Sequence, residues 1–129
     1  MTLRIQDFEN TRNADDVNEL ERALRVRHDD ANSFWLSHGK ETKPALSILV
    51  RGDLAYLHYF PDDSHPGFSS IGAVRELKRD GTTTFFLDTP EQEQEIVNSS
   101  IVSFSEAVKV AKEFFISKDL PEAIKWFEL

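Results

Sequence analysis

The sequence predicts an α+β domain, a mostly antiparallel β-sheet with two main α-helices packed against it. Three observations lead there. Period-two alternation of apolar residues recurs along the chain and is clearest from Pro44 to Phe60. Two segments, Ala14 to Arg27 and Phe104 to Ser117, instead carry apolar stripes at helical spacing. Gly52-Asp53 and Asp80-Gly81 supply the turn chemistry that joins antiparallel neighbours. At 129 residues the chain is long enough to bury a core without staples, and residues 1–129 read as one domain.

The chain opens on Leu3, Ile5 and Phe8 alternating with polar residues, which predicts a strand. A helix follows. Asn13 is placed to cap it, Asp15 and Asp16 suit its positive end, and Val17, Leu20, Ala23 and Leu24 form its apolar stripe. Asp29-Asp30 would oppose the dipole at a helix C-terminus, so the helix ends near Arg27 or His28. Ser33 to His38 then reads as a short strand. From Pro44 to Arg51, Leu46, Ile48 and Val50 alternate with Ala45, Ser47 and Leu49. After the Gly52-Asp53 turn, Leu54, Tyr56, His58 and Phe60 alternate with Ala55, Leu57 and Tyr59. Two apolar faces place that second strand centrally in the sheet.

Beyond Phe60, the run Pro61 to Phe68 holds two prolines, a glycine, two aspartates and a histidine, which reads as a rigid loop. Phe68 to Lys78 reads as extended, Asp80-Gly81 as a hairpin turn and Thr82 to Leu87 as a strand. Asp88 to Glu95 has four acidic residues, no basic one and Pro90, so it is expected to be an exposed loop. Ile96 to Val102 is strand-like. The second helix has a capping box, Ser103 to Glu106, a hydrophobic staple of Val102 with Ala107, and a stripe of Val108, Ala111, Phe114 and Phe115. Ala123 to Leu129 is expected to dock as a closing strand or arm, with Trp126 and Phe127 buried.

Composition narrows the function classes. With no cysteine there is no disulfide, thiol nucleophile or thiolate metal site, and a reducing compartment is favoured. No apolar run approaches the ~20 residues that span a bilayer. The first residues have no signal-peptide core, so a cytoplasmic location is expected. The 23 acidic against 15 basic residues give a net charge of -8, unfavourable for gripping nucleic-acid phosphates directly. A protein whose own surface is basic is the better electrostatic partner.

Reactive groups are sparse. His58, Asp62, Asp63 and His65 cluster in sequence and are the set from which a small metal-dependent enzyme would be built. Their spacing matches no established ligand pattern, His58 shares a strand face with Leu54, Tyr56 and Phe60, and the aspartates are ordinary turn formers. Ser64, Ser69 and Ser70 lack a nucleophile-elbow context, and there is no glycine-rich phosphate loop. Arg51-Gly52-Asp53 reads as a turn between strands. No catalytic residue, cofactor or metal is assigned.

The order of a Leu/Val-rich strand, Gly-Asp turn and Tyr59-Phe60-Pro61, then His65-Pro66-Gly67-Phe68-Ser69-Ser70-Ile71-Gly72, resembles the first immunity protein family of bacterial polymorphic-toxin systems. The closing helix, Leu120-Pro121 and Ile124 to Leu129 are similar to that family's C-terminal part; the resemblance covers Pro44 to Leu129. It implies an antidote without catalytic activity that binds and inhibits a cognate toxin, often a nucleic-acid deaminase, a cytosine deaminase among them, by occluding its active site or substrate path. A one-to-one complex of a monomer with the toxin domain, with no nucleic acid or membrane bound, is expected. A generic adaptor for another protein is the other binding alternative. Between Gly52 and Val74 there is no Lys or Arg. Asp62 and Asp63 there, and Asp88, Glu91, Glu93 and Glu95 in the second acidic segment, are the expected partner-binding charges. Tyr59, Phe68 and His65 are the expected rings beside them.

Overall fold

The alternation between Pro44 and Phe60 produces the two strands at the centre of the sheet. A computed structural model describes residues 2–129. In chain order it contains β1 (Leu3–Gln6), β2 (Thr11–Ala14), α1 (Val17–Leu24), β3 (Ala31–His38), β4 (Ala45–Arg51) and β5 (Leu54–Phe60). These are followed by β6 (Phe68–Ile71), β7 (Thr82–Phe86), β8 (Glu93–Val97), a 3-10 turn (Asn98–Ser100), β9 (Ile101–Ser103), α2 (Phe104–Ser117) and β10 (Lys125–Glu128). The main sheet runs β10-β6-β5-β4-β3-β1-β2, with β9 pairing the first half of β5; β7 and β8 form a separate hairpin. Every pairing is antiparallel, so the α+β expectation holds.

Parity divides the sheet into two unlike faces. Leu3, Ile5, Phe34, Leu36, Leu46, Ile48, Val50, Ala55, Leu57 and Tyr59 all turn to one side, where α1 and α2 cover them. Leu20 and Leu24 of α1 and Val108, Ala111, Phe114 and Phe115 of α2 complete that core. Each large apolar side chain buried there contributes roughly 1.5–3 kcal/mol. The helices are joined by Glu21, whose carboxylate meets Lys112 at 2.6 Å and Arg25 at 2.7 Å. The hydrogen bond from Lys112, then that from Arg25, holds the Glu21 carboxyl down at about 2. The other face is only half covered. The β7–β8 hairpin packs Phe85 and Ile96 over Leu49, Leu54, Tyr56 and Ile101, and leaves the rest open.

The second helix begins and ends where its signals place it. Ser103 accepts from the Glu106 amide while the Glu106 side chain accepts from the Ser103 amide, and the staple residues Val102 and Ala107 are both buried. The first helix is shorter than expected. Thr11 to Ala14 pairs with β1 instead, burying Ala14 beside Leu3, and Asp16 rather than Asn13 caps the helix by accepting from the Glu19 amide at 2.8 Å. Sheet pairing has overridden helix propensity there.

The segment after β5 also departs from expectation. Only Phe68–Ile71 of the presumed extended run is a strand, and it pairs with β5 and β10 rather than with β7. Asp80-Gly81 is therefore no hairpin turn. The partner of β7 begins inside the presumed acidic loop and runs into the expected strand at Ile96: Glu93–Val97 pairs with β7, and Asn98 closes the base of that hairpin through Thr83 Oγ1 (2.6 Å) and the Lys78 carbonyl (2.7 Å). The C-terminal arm docks as a strand on β6. Trp126 packs toward the core and its Nε1 donates to the Pro121 carbonyl at 2.7 Å, whereas Phe127 is 61% exposed, because adjacent residues of a strand face opposite ways.

Candidate functional site

Register across the open face aligns one residue from each of seven strands. Thr11 pairs with Gln6, Gln6 with Trp35, Trp35 with Ser47, Ser47 with His58, His58 with Ser69, and Ser69 with Phe127. Strand side chains alternate, so this row lies on the side away from the helices. The serines are small beside the rings flanking them, and the row sinks between Trp35 and His58. The hairpin walls one side through Leu87, Asp88, Gln94 and Ile96, making a cleft of about 770 Å³.

The floor of the cleft is aromatic. The His58 ring stacks on Phe60 with centroids 4.0 Å apart, and Phe60 meets Trp35 at 5.2 Å. The ammonium of Lys43 lies 5.5 Å from the Trp35 ring centre and 5.8 Å from that of Phe60. His58 Nε2 donates to the Pro66 carbonyl at 2.9 Å, and Nδ1 lies 3.5 Å from the Tyr56 hydroxyl, which in turn accepts from Ser69 Oγ at 3.0 Å. Burial pushes the imidazole below its usual value, against a smaller opposing effect of the Pro66 bond. At the far end Asp7 Oδ1 accepts from the amides of Glu9 and Asn10, while Asp7 Oδ2 is buried without a hydrogen-bond partner. The nearest cation to it, Arg12, stands at 3.6 Å.

The expected partner-binding residues separate into four places. Asp88 lines the cleft, and Asp63 reaches its aromatic end through a 3.2 Å ion pair with Lys43, so the two acidic segments border one face. Asp62 is exposed in the same loop; hydrogen bonds from the Ser64 side chain and backbone hold its carboxyl below the usual range. Glu93 and Glu95 sit on the outer side of the hairpin, because Gln94 and Ile96 take the inward positions. Glu95 accepts there from Thr82 and Thr84, and Glu91 is exposed near the tip. His65 is tied to the C-terminal arm, its Nε2 donating to Glu128 at 2.8 Å and its ring stacking on Phe68. Two rings belong elsewhere. Tyr59 is 6% exposed, donating its hydroxyl to the Lys118 carbonyl on the helix side, and Phe68 packs half-buried against the same core. Neither is a free anchor, since both have the parity of the covered face.

The four groups considered for an enzyme do not converge: His58 bonds Pro66, Asp62 bonds Ser64, Asp63 pairs with Lys43 and His65 bonds Glu128. No family model matches the chain. Over 124 residues, 95% of this chain and 97% of the relative, it is 31% identical to a double-stranded DNA deaminase immunity protein of Burkholderia cenocepacia (strain H111). The chain belongs to the deaminase immunity protein family.

In this member of the immunity protein family, several cleft residues carry no signal as reactive groups. Trp35, Ser47, Gln94 and Asp7 become neighbours only when the strands pair. One hint was present. Trp35 shares a strand parity with Ser33 and Ser37, opposite Phe34 and Leu36, which is the pattern of a large ring left on the polar side of a half-buried strand.

Proposed function

We propose that the chain protects its host by binding a cognate nucleic-acid deaminase toxin, a cytosine deaminase, and blocking the toxin's active site or substrate path. The observation that carries this reading is the near full-length identity to a double-stranded DNA deaminase immunity protein. A deaminase must draw a nucleic-acid strand into a pocket and stabilise its phosphates with positive charge. A chain of net charge -8, with Asp63 and Asp88 bordering one aromatic-floored face, suits that surface as a competitor for the strand. Inhibition is by occupancy with no chemistry of the chain's own, in a one-to-one complex that leaves neither partner on nucleic acid. The antidote works in the cytoplasm, the compartment where the toxin meets its substrate. No helix among the described residues is long and apolar enough to cross a membrane.

Co-expression with a double-stranded DNA cytosine deaminase toxin domain tests the reading. Cells making both proteins are expected to grow normally, cells making the toxin alone to stop and accumulate deaminated cytosine, and the purified pair to elute at the mass of one copy of each. Continued deamination in the presence of an equimolar amount of the chain would overturn the proposal.

A further inference from the structure

The two edges of the main sheet are finished differently. On one side β2 presents Thr11, Arg12 and Asn13, and its only apolar residue, Ala14, is buried. Polar and charged residues on an edge discourage a further strand. On the other side β10 is bordered by apolar surface. Of the five large apolar side chains left exposed among the described residues, three meet there: Ile71, Phe127 and Leu129. Register puts them on one face. Ile71 pairs with Lys125, which has the parity of Phe127 and Leu129, so all three stand on the open face. Phe127 is also the last residue of the cross-strand row that passes through Trp35, Ser47 and His58.

The backbone of β10 has one side without a neighbour. Its only partner in the sheet is β6, and the Leu129 amide donates to the Gly67 carbonyl at 3.0 Å. Bonding direction alternates along an antiparallel strand, so Phe127 directs its N–H and C=O groups to β6, and Trp126 and Glu128 direct theirs away from it. Outward backbone groups flanked by apolar side chains are a template for one more strand.

We infer that β10 receives an extended segment of the cognate toxin as an added strand, with apolar side chains laid over Ile71, Phe127 and Leu129 and a basic residue where the segment passes Asp62 and Asp63. Charge selects this occupant. The loop that carries the two exposed aspartates is fastened to the C-terminal end of β10, through His65 Nε2 donating to Glu128 at 2.8 Å and through the Leu129 amide on Gly67. No Lys or Arg lies between Gly52 and Val74 to offset them. A toxin whose surface is basic along its substrate path is the complement of that edge. A second copy is the poorer occupant. Each copy carries a net charge of -8, and a four-residue edge paired with itself buries far less than the roughly 1,200 Å² at which stable interfaces begin. The toxin strand instead extends a contact that continues onto the open face and the acidic loop. The inference rests on the toxin-binding reading and names the backbone by which the chain holds the toxin.

The test uses the full chain, free and bound to a catalytically inactivated form of the toxin domain. Amide hydrogen exchange followed by NMR reads the added strand directly. The Trp126 and Glu128 amides are expected to exchange fast in the free chain and roughly a hundredfold more slowly in the complex, with the β2 amides unchanged. By calorimetry, Phe127→Ala should weaken binding roughly tenfold while the melting temperature stays within a few degrees. Ile116→Ala, which removes an exposed apolar side chain on α2, is the control expected to bind as wild type. Trp126 and Glu128 amides left unprotected in a tight complex, wild-type affinity for Phe127→Ala, or an equal loss for Ile116→Ala would each overturn the inference while leaving toxin binding intact. Protection of the same amides in a free chain that sediments as a dimer would assign the edge to a second copy and overturn it as well. A wild-type chain that does not bind the toxin at all would overturn the functional reading and this inference with it.

Discussion

The imidazole of His58 lies flat on the ring of Phe60, centroids 4.0 Å apart and planes within 8° of parallel, and its Nε2 is bonded to the carbonyl of Pro66. One residue thereby links the cleft floor to the loop that carries Asp62 and Asp63. Burial lowers its proton affinity in the folded state. The unfolded chain, with an ordinary value of about 6.5, binds the proton more readily. Stability is therefore greatest above about pH 6.5 and declines as pH falls from there through the folded value. His58→Gln should flatten the dependence of melting temperature on pH over that interval; equal slopes for variant and parent would contradict the assignment.

Gly67 is the tightest backbone position beside that ring. It sits at φ 104°, and a Cβ there would fall onto His58 Nε2 and within 2.7 Å of the Tyr59 carbonyl. Gly67→Ala is expected to cost about 2 kcal/mol or more in urea unfolding, through strain and displacement of His58. Gly39, at φ 54° with open space around it, provides the contrast. Its alanine variant should lose only about 1 kcal/mol, the conformational penalty alone.

The arm after Pro121 offers a paired comparison. Trp126 packs on the core beside Tyr59, ring centres 6.4 Å apart, whereas the adjacent Phe127 is exposed. Trp126→Ala should destabilise by about 2 kcal/mol, below the cost of a fully buried tryptophan, and Phe127→Ala by less than about 0.5 kcal/mol. Equal effects would show that the arm is not seated as a strand on β6.

Kinetics separate the acidic loop from the cleft. Asp62 and Asp63 are exposed, so their charges act at a distance and through solvent. Replacing both by lysine should slow association with the toxin roughly tenfold at low salt and weaken the salt dependence, with little change in dissociation. Stopped-flow association over a salt series decides it: a double variant as fast as wild type at low salt would remove the loop from the encounter surface.

Local signals carried much of the fold. The β4–β5 hairpin could be read from its alternation and Gly52-Asp53, because a two-residue turn and a period of two are both properties of neighbouring residues. The second helix was legible for the same reason, its capping box, staple and stripe all lying within a few turns of one another. Thr11 to Ala14 was not, because its strand conformation is dictated by a partner, β1, and its own composition is equally suited to a helix start. The hairpin of β7 with Glu93–Val97 was hidden likewise, an acidic composition masking a strand whose inward residues are only Gln94 and Ile96. The candidate site divides along the same line. The sequence by itself determined an acidic chain with Asp63 and Asp88 in separate segments and a tryptophan on the polar side of a strand. Only the tertiary structure decided that Tyr59 and Phe68 face the helices, and that Trp35, Ser47 and His58 fall in one cross-strand row. Parity along a strand is local, but which strand lies beside which, and which face the helices cover, is set by pairing and burial between residues far apart in the chain.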